Sequence, residues 1–141
     1  VLAHELGHFE CRHVFKRFVL LAGLSLVGLA LLAWLIEQSW FYQGLGVSQP
    51  SLHTAFVLFV MIAPVFGVLL QPVLAALSRR HEFEADNFAA EQAHARSLIR
   101  ALVKLYRGNA RTLTPDPLYS AFHDSHPPAS VRVAELAAKT G

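Results

Sequence analysis

Two long stretches of this chain carry no charge. No Lys, Arg, Asp or Glu lies between Arg17 and Glu37, and none lies between Glu37 and Arg79. A helix needs about 20 apolar residues to cross the hydrocarbon core of a bilayer. Residues 18–36, FVLLAGLSLVGLALLAWLI, meet that length, and residues 52–78 exceed it. The segment between them, residues 37–51, is rich in turn residues and aromatics and suits an interfacial loop. A pair of buried core helices is the competing reading, and runs of this length disfavour it. Composition agrees: 54% of the chain is hydrophobic and 16% charged, where soluble domains have roughly a quarter of their residues charged. Mean hydropathy is +0.40. The expected fold class is therefore all-α and integral to a membrane. It consists of two transmembrane helices forming a hairpin, followed by a helical segment outside the bilayer.

The flanking charges orient that hairpin. Arg12, Lys16 and Arg17 precede the first span, Arg79 and Arg80 follow the second, and the connecting loop holds Glu37 with no basic residue. The positive-inside rule then puts both outer ends in the cytoplasm. Trp34, Trp40, Phe41 and Tyr42 are expected as an aromatic belt on the far side. Pro64 and Pro72 fall inside the second span and predict a kink or a break. His53, alone near the mouth of that span, reads as an interfacial polar residue.

The remaining composition closes off other classes. Twelve basic against ten acidic residues give a net charge of +2, which is no nucleic-acid footprint. The single cysteine, Cys11, permits no internal disulfide. The chain opens on Val1 with a metal motif already at position 4, so a piece of a longer protein is expected.

That motif is His4-Glu5-Leu6-Gly7-His8, an H-E-x-x-H pattern. Residues four apart share one face of a helix, so His4 and His8 can bind one metal ion, with Glu5 placed as a general base. A catalytic zinc needs a third protein ligand and an open position. Candidates follow the second span in SRRHEFEAD, residues 78–86. Glu82 and Asp86 are four apart and share a face; one can ligate while the other supports a ligand histidine. Glu84 is the rival to Glu82, about 200° away around a helix, so both cannot face one ion. An antiparallel pair of spans brings residues 4–8 and 82–86 to the same side of the membrane.

Other histidines read as bystanders. His13 lies nine residues from His4, half a turn out of phase on a continuous helix, and is expected to be solvated or interfacial. His81 and His94 are expected at the surface, and Cys11 as a small packing residue. Further on, Leu98, Leu102 and Leu105 with Ile99 and Tyr106 form an apolar helical stripe, and Gly108 suits its end. The proline-rich stretch 110–128 reads as loop with a short turn of helix, and a last helix is expected over about 129–139.

HELGH, two spans, SRRHEFEADNFA and then DPLYSAFHDSHPPASVR, in that order, resemble the C-terminal part of the type I CAAX prenyl endopeptidases, the Ste24-type integral-membrane zinc metalloproteases. The resemblance covers nearly the whole chain. It implies one Zn2+ per chain held by His4, His8 and Glu82, Glu5 as catalytic base, and Asp86 orienting a ligand. The family's H-P-x-x-x-x-R element falls on His126, Pro127 and Arg132. There His126 is implied to stabilise the tetrahedral intermediate or bind substrate backbone, with Arg132 supporting the site. His123 also falls in the matching segment. One departure is Val131, where the family commonly has an acidic residue. The implied whole is a seven-span α-helical barrel around a water-filled chamber, so this chain would be a single metallopeptidase domain fragment, residues 1–141, lacking its N-terminal spans.

Three functions fit these observations. The first is a processing endopeptidase acting near the C-terminus of prenylated CAAX proteins. The second is a quality-control membrane protease of broader specificity, like the HtpX-type relatives. The third is a metal-binding membrane hairpin without catalysis, which Glu5 argues against because a structural site needs no general base and prefers four protein ligands. The implied partners are a peptide or protein substrate, membrane lipid and the missing spans. The active side would face the cytoplasm, in a bacterial inner membrane or an ER-type membrane.

Overall fold

The computed structural model describes residues 2–93, 95–108 and 116–138. Among them every regular element is a helix: α1 Leu2–Glu10, α2 His13–Ile36, α3 Ser39–Gln43, α4 Leu52–Gln92, α5 Ala95–Gly108, α6 Pro117–His123 and α7 Ala129–Ala138. His94 and the loop around Pro115 lie outside the described residues. The helices divide into two compact units. One comprises Phe15–Leu70; the other combines the chain up to Val14 with the chain from Gln71 onward.

In the first unit, α2 and the front of α4 are long and apolar enough to cross a membrane. Almost none of that apolar surface is buried within the chain: 11% of the most apolar window of α2, and 0% of that of α4. A soluble core helix would hide it. What packing exists gathers near the connecting loop, where Leu32, Leu35, Phe41, Tyr42 and Ala55 form a small core. Tyr42 is nearly sealed off and donates its hydroxyl to the Ile36 carbonyl at 2.9 Å. This corrects the aromatic belt. Trp34 and Trp40 remain exposed, but Phe41 and Tyr42 turn inward, because the short α3 rolls one face onto the hairpin.

Of the kink or break expected at the prolines, the break does not occur. The structure carries α4 unbroken through Pro64 and Pro72. Each ring removes one backbone donor, but helices of this kind tolerate the loss when neighbouring groups re-satisfy the freed carbonyls. The helix also continues past the apolar run, so residues 79–92 extend the same element instead of starting a new one.

The second unit contains the polar end of α4. Here α1 lies so close to it that a Cβ on Gly7 would stand 2.9 Å from the Ala85 carbonyl oxygen and 3.0 Å from its Cα. Ala85 and Ala89 are fully buried, and Leu98, Leu102 and Leu136 complete the core, with α5 packed on α7. Small residues on α1 and α4 thus permit backbone-to-backbone approach. Asp116 caps α6 by accepting from the Tyr119 N–H at 2.8 Å, with Pro117 in the first turn. The Arg79 guanidinium donates to the carbonyls of Ser120 at 3.3 Å and Asp124 at 2.8 Å, tying the end of α6 to α4.

α1 stops early. Cys11 and Arg12 donate backward to Gly7 and Phe9, and Arg12 takes a φ of 53°, the left-handed region. That conformation costs a non-glycine residue roughly 1–2 kcal/mol. It breaks the continuous helix assumed from His4 to His13 and restarts it in a new phase at His13.

Candidate metal centre

The H-E-x-x-H turn of α1 faces Glu82 of α4. His4 Nε2 and His8 Nε2 are 3.2 Å apart; Glu82 offers Oε2 at 3.5 Å from the first and Oε1 at 3.4 Å from the second. Ligands at ~2.0–2.1 Å on a tetrahedron stand about 3.4 Å from one another. The three donor groups therefore fit one side of a zinc tetrahedron, and two imidazoles with one carboxylate are a donor set zinc accepts in catalytic sites.

The opposite edges of these ligands are also engaged. His4 Nδ1 is 2.9 Å from Asp86 Oδ1, a short electrostatic contact without good hydrogen-bond alignment. A carboxylate behind a ligand histidine fixes its ring orientation and tautomer. Asp86 in turn accepts two hydrogen bonds from Arg132, Nε to Oδ2 at 2.7 Å and Nη2 to Oδ1 at 2.6 Å, a bidentate pair. Arg132 Nη1 also reaches Glu82 Oε2 at 3.3 Å, so one guanidinium spans both carboxylates. Glu82, Asp86 and Arg132 are all buried.

These contacts set the charges. Burial pushes the Glu82 carboxyl up, but hydrogen bonds from His126 and His4, helped by Arg132, outweigh it and hold Glu82 well below the usual carboxylate range. Asp86 follows the same balance: burial raises it, and His4 and Arg132 bring it below its ordinary value. For Arg132, burial is outweighed by Asp86 and Glu82, which raise its pKa further. Contact with Asp86 first and Glu82 second lifts His4 to about 9, against burial. Burial lowers His8. Both carboxylates are thus held ionised, the form that suits one for a cation and the other for a ligand N–H.

A cavity of about 600 Å³ opens beside this cluster. Glu5, His126 and Arg132 line it together with His4 and Glu82; Leu98, Leu102, Leu105 and Tyr106 of α5 form an apolar wall. Glu5 is exposed. His126 sits where Pro127 is buried and Tyr106 donates its hydroxyl to the Pro127 carbonyl at 3.3 Å; its Nδ1 stands 3.1 Å from Glu82 Oε1.

The structure gathers His4, Glu5, His8, Glu82, Asp86, His126 and Arg132 in one place. His123 lies apart from them, its Nδ1 paired with Gln71 Nε2 at 3.0 Å. Two residues set aside from the sequence belong nearby. His13 is only 4% exposed, with one ring nitrogen on His8 and the other on Glu84. His81, expected at the surface, stacks on the His13 ring with centroids 4.2 Å apart. The half-turn argument against His13 assumed an unbroken helix, and the left-handed Arg12 voids it. A third histidine five residues after His8 was the available signal.

A helical site of two H-E-x-x-H histidines and a distant glutamate, in a chain that also carries helices fit for a membrane, defines a class of metal-dependent peptidases. The chain belongs to peptidase family M48, whose model matches residues 1–140. It is 36% identical over 138 residues to the human CAAX prenyl protease 1 homolog, covering 96% of this chain and 29% of that protein. It is 28% identical over 151 residues to CAAX prenyl protease 1 of Saccharomyces cerevisiae, covering 33% of that protein. Among solved structures, that of S. mikatae Ste24p superposes with a TM-score of 0.82 at 30% identity, covering 96% of this chain and 35% of that one. The chain thus spans about a third of the length of these relatives.

Proposed function

We propose that this chain supplies the metal-binding and catalytic part of a membrane-embedded zinc endopeptidase that processes CAAX-type C-termini. The observation that carries the reading is the triangle of His4, His8 and Glu82 donors beside a cavity that His4, Glu82 and Glu5 line. His4, His8 and Glu82 hold the ion. Zinc bound there supplies Lewis-acid polarisation of a carbonyl and an acidified water.

The chain's own groups do the rest. Glu5 accepts a proton from the attacking water and returns it to the leaving amine, which needs a carboxylate with access to the cavity. His126, half-exposed at its rim, donates to the oxyanion that develops on the scissile carbonyl. Arg132 stays buried and holds the Glu82 and Asp86 carboxylates in place. The apolar α5 wall excludes water and receives an aliphatic side chain of the substrate. The remaining spans and substrate surface come from parts of the protein beyond this chain. The arginines and lysine flanking the apolar runs support an active side that faces the cytoplasm.

The test uses the full-length protein in lipid or detergent, with a farnesylated CAAX peptide and its unprenylated twin. Glu5→Gln is expected to retain zinc and to lose cleavage by roughly 10²–10⁴-fold, the range for a general base. Equal cleavage of both peptides would shift the assignment to a protease of broader substrates. Full activity in Glu5→Gln would sink the catalytic scheme.

A further inference from the structure

We propose that His13 and Glu84 form a relay that positions His8, so that each ligand histidine is held by a carboxylate from α4. The inference rests on the reading of His8 as a zinc ligand. His13 Nδ1 lies 2.9 Å from His8 Nδ1, and His13 Nε2 lies 3.0 Å from Glu84 Oε2. Glu84 Oε1 in turn accepts from Arg80 Nε at 3.2 Å. The His81 ring covers a face of His13, nearly parallel at 13°. A buried imidazole is therefore fixed at both edges and on one face.

The protons follow from the ligation. A neutral histidine that offers Nε2 to a cation keeps its hydrogen on Nδ1. His8 Nδ1 then donates to His13 Nδ1, which must be the bare nitrogen. That leaves the His13 hydrogen on Nε2, where it donates to the Glu84 carboxylate. One consistent chain runs from His8 through His13 to Glu84, with every donor matched to an acceptor. Asp86 stands directly behind His4; Glu84, two residues earlier and on another side of α4, reaches His8 through an intermediary. The left-handed Arg12 makes this possible by turning His13 back toward α1.

A rival use of the same atoms exists. Cys11, His13 and Glu84 could hold a second ion, their donor atoms lying within 4.8 Å of one another. A cation on His13 Nε2 would drive the ring hydrogen to Nδ1, where it would meet the His8 Nδ1–H at 2.9 Å. Two donors would then point at each other. Second-site binding and a neutral, ligating His8 therefore oppose one another, and the relay is favoured.

The experiment measures zinc stoichiometry and affinity by chelator competition on the full-length protein, alongside its unfolding midpoint. The wild type is expected to bind one zinc, and His8→Ala to lose it; retention of zinc in His8→Ala would defeat the ligand assignment itself rather than the relay. His13→Phe keeps the buried ring and removes both nitrogens. It is expected to weaken zinc by about 10–100-fold, the usual effect of losing an outer partner of a ligand histidine, with an unchanged midpoint in the metal-free protein. Glu84→Gln, which still accepts a hydrogen bond, is expected to lose less, and it carries the test if His13→Phe does not fold. Cys11→Ser is expected to change nothing. Wild-type affinity in both His13→Phe and Glu84→Gln would overturn the relay. So would a second bound zinc that disappears in Cys11→Ser.

Discussion

The two units are stabilised by different means. In Phe15–Leu70 the apolar residues face outward and the internal core is a handful of side chains near one loop. In the other unit, the interior holds ionised groups: Glu82, Asp86 and Arg132 are buried together and satisfy one another. The hairpin is specified by length and hydropathy, so many apolar sequences would serve. The site is specified by individual atoms, because each buried charge needs its own partner. Tolerance to substitution should divide along the same line.

The sharpest way to break this comparison is Arg132→Met. It leaves two buried carboxylates without their shared cation and is expected to cost about 3–5 kcal/mol, read as a shift in the unfolding midpoint in mixed detergent. A loss near zero would mean that water reaches these carboxylates and that the site is no ionic core. Next comes Val65→Arg, at an exposed position within the long apolar run of α4. Facing hydrocarbon, the charge should cost roughly 2.5–3.5 kcal/mol and reduce membrane insertion; a face open to water would accept it freely. Smallest is Tyr42→Phe, which deletes the bond to the Ile36 carbonyl and should cost about 1 kcal/mol in the same unfolding measurement. A much larger loss there would show that the hairpin core is as atom-specific as the site.

Legibility followed the same division. The two apolar runs were readable because crossing a bilayer depends on a sum over about twenty residues. The i, i+4 spacings of His4 with His8 and Glu82 with Asp86 were readable because helix geometry alone aligns them. The start of α7 at Ala129 matched its expected position. What could not be read depended on single backbone angles and on pairings distant in sequence. The φ of Arg12 decided the fate of His13, and nothing in CRH announces a left-handed arginine. The inward turn of Phe41 and Tyr42 depended on α3, a helix of one turn. Continuity of α4 past Ser78 was hidden because the change from apolar to charged composition resembles a boundary even where the backbone does not change.

The contact between Gly7 and Ala85 has a consequence for inheritance. Glycine alone lacks a Cβ, so every missense change at that codon adds at least the carbon that would press on the α4 backbone. Mild alleles are therefore not expected at this position, whereas its neighbour Leu6, half-exposed, is expected to tolerate change. Among sequence variants carried in a population, position 7 should be the gap in the motif, because its packing against Ala85 leaves no room for any side chain.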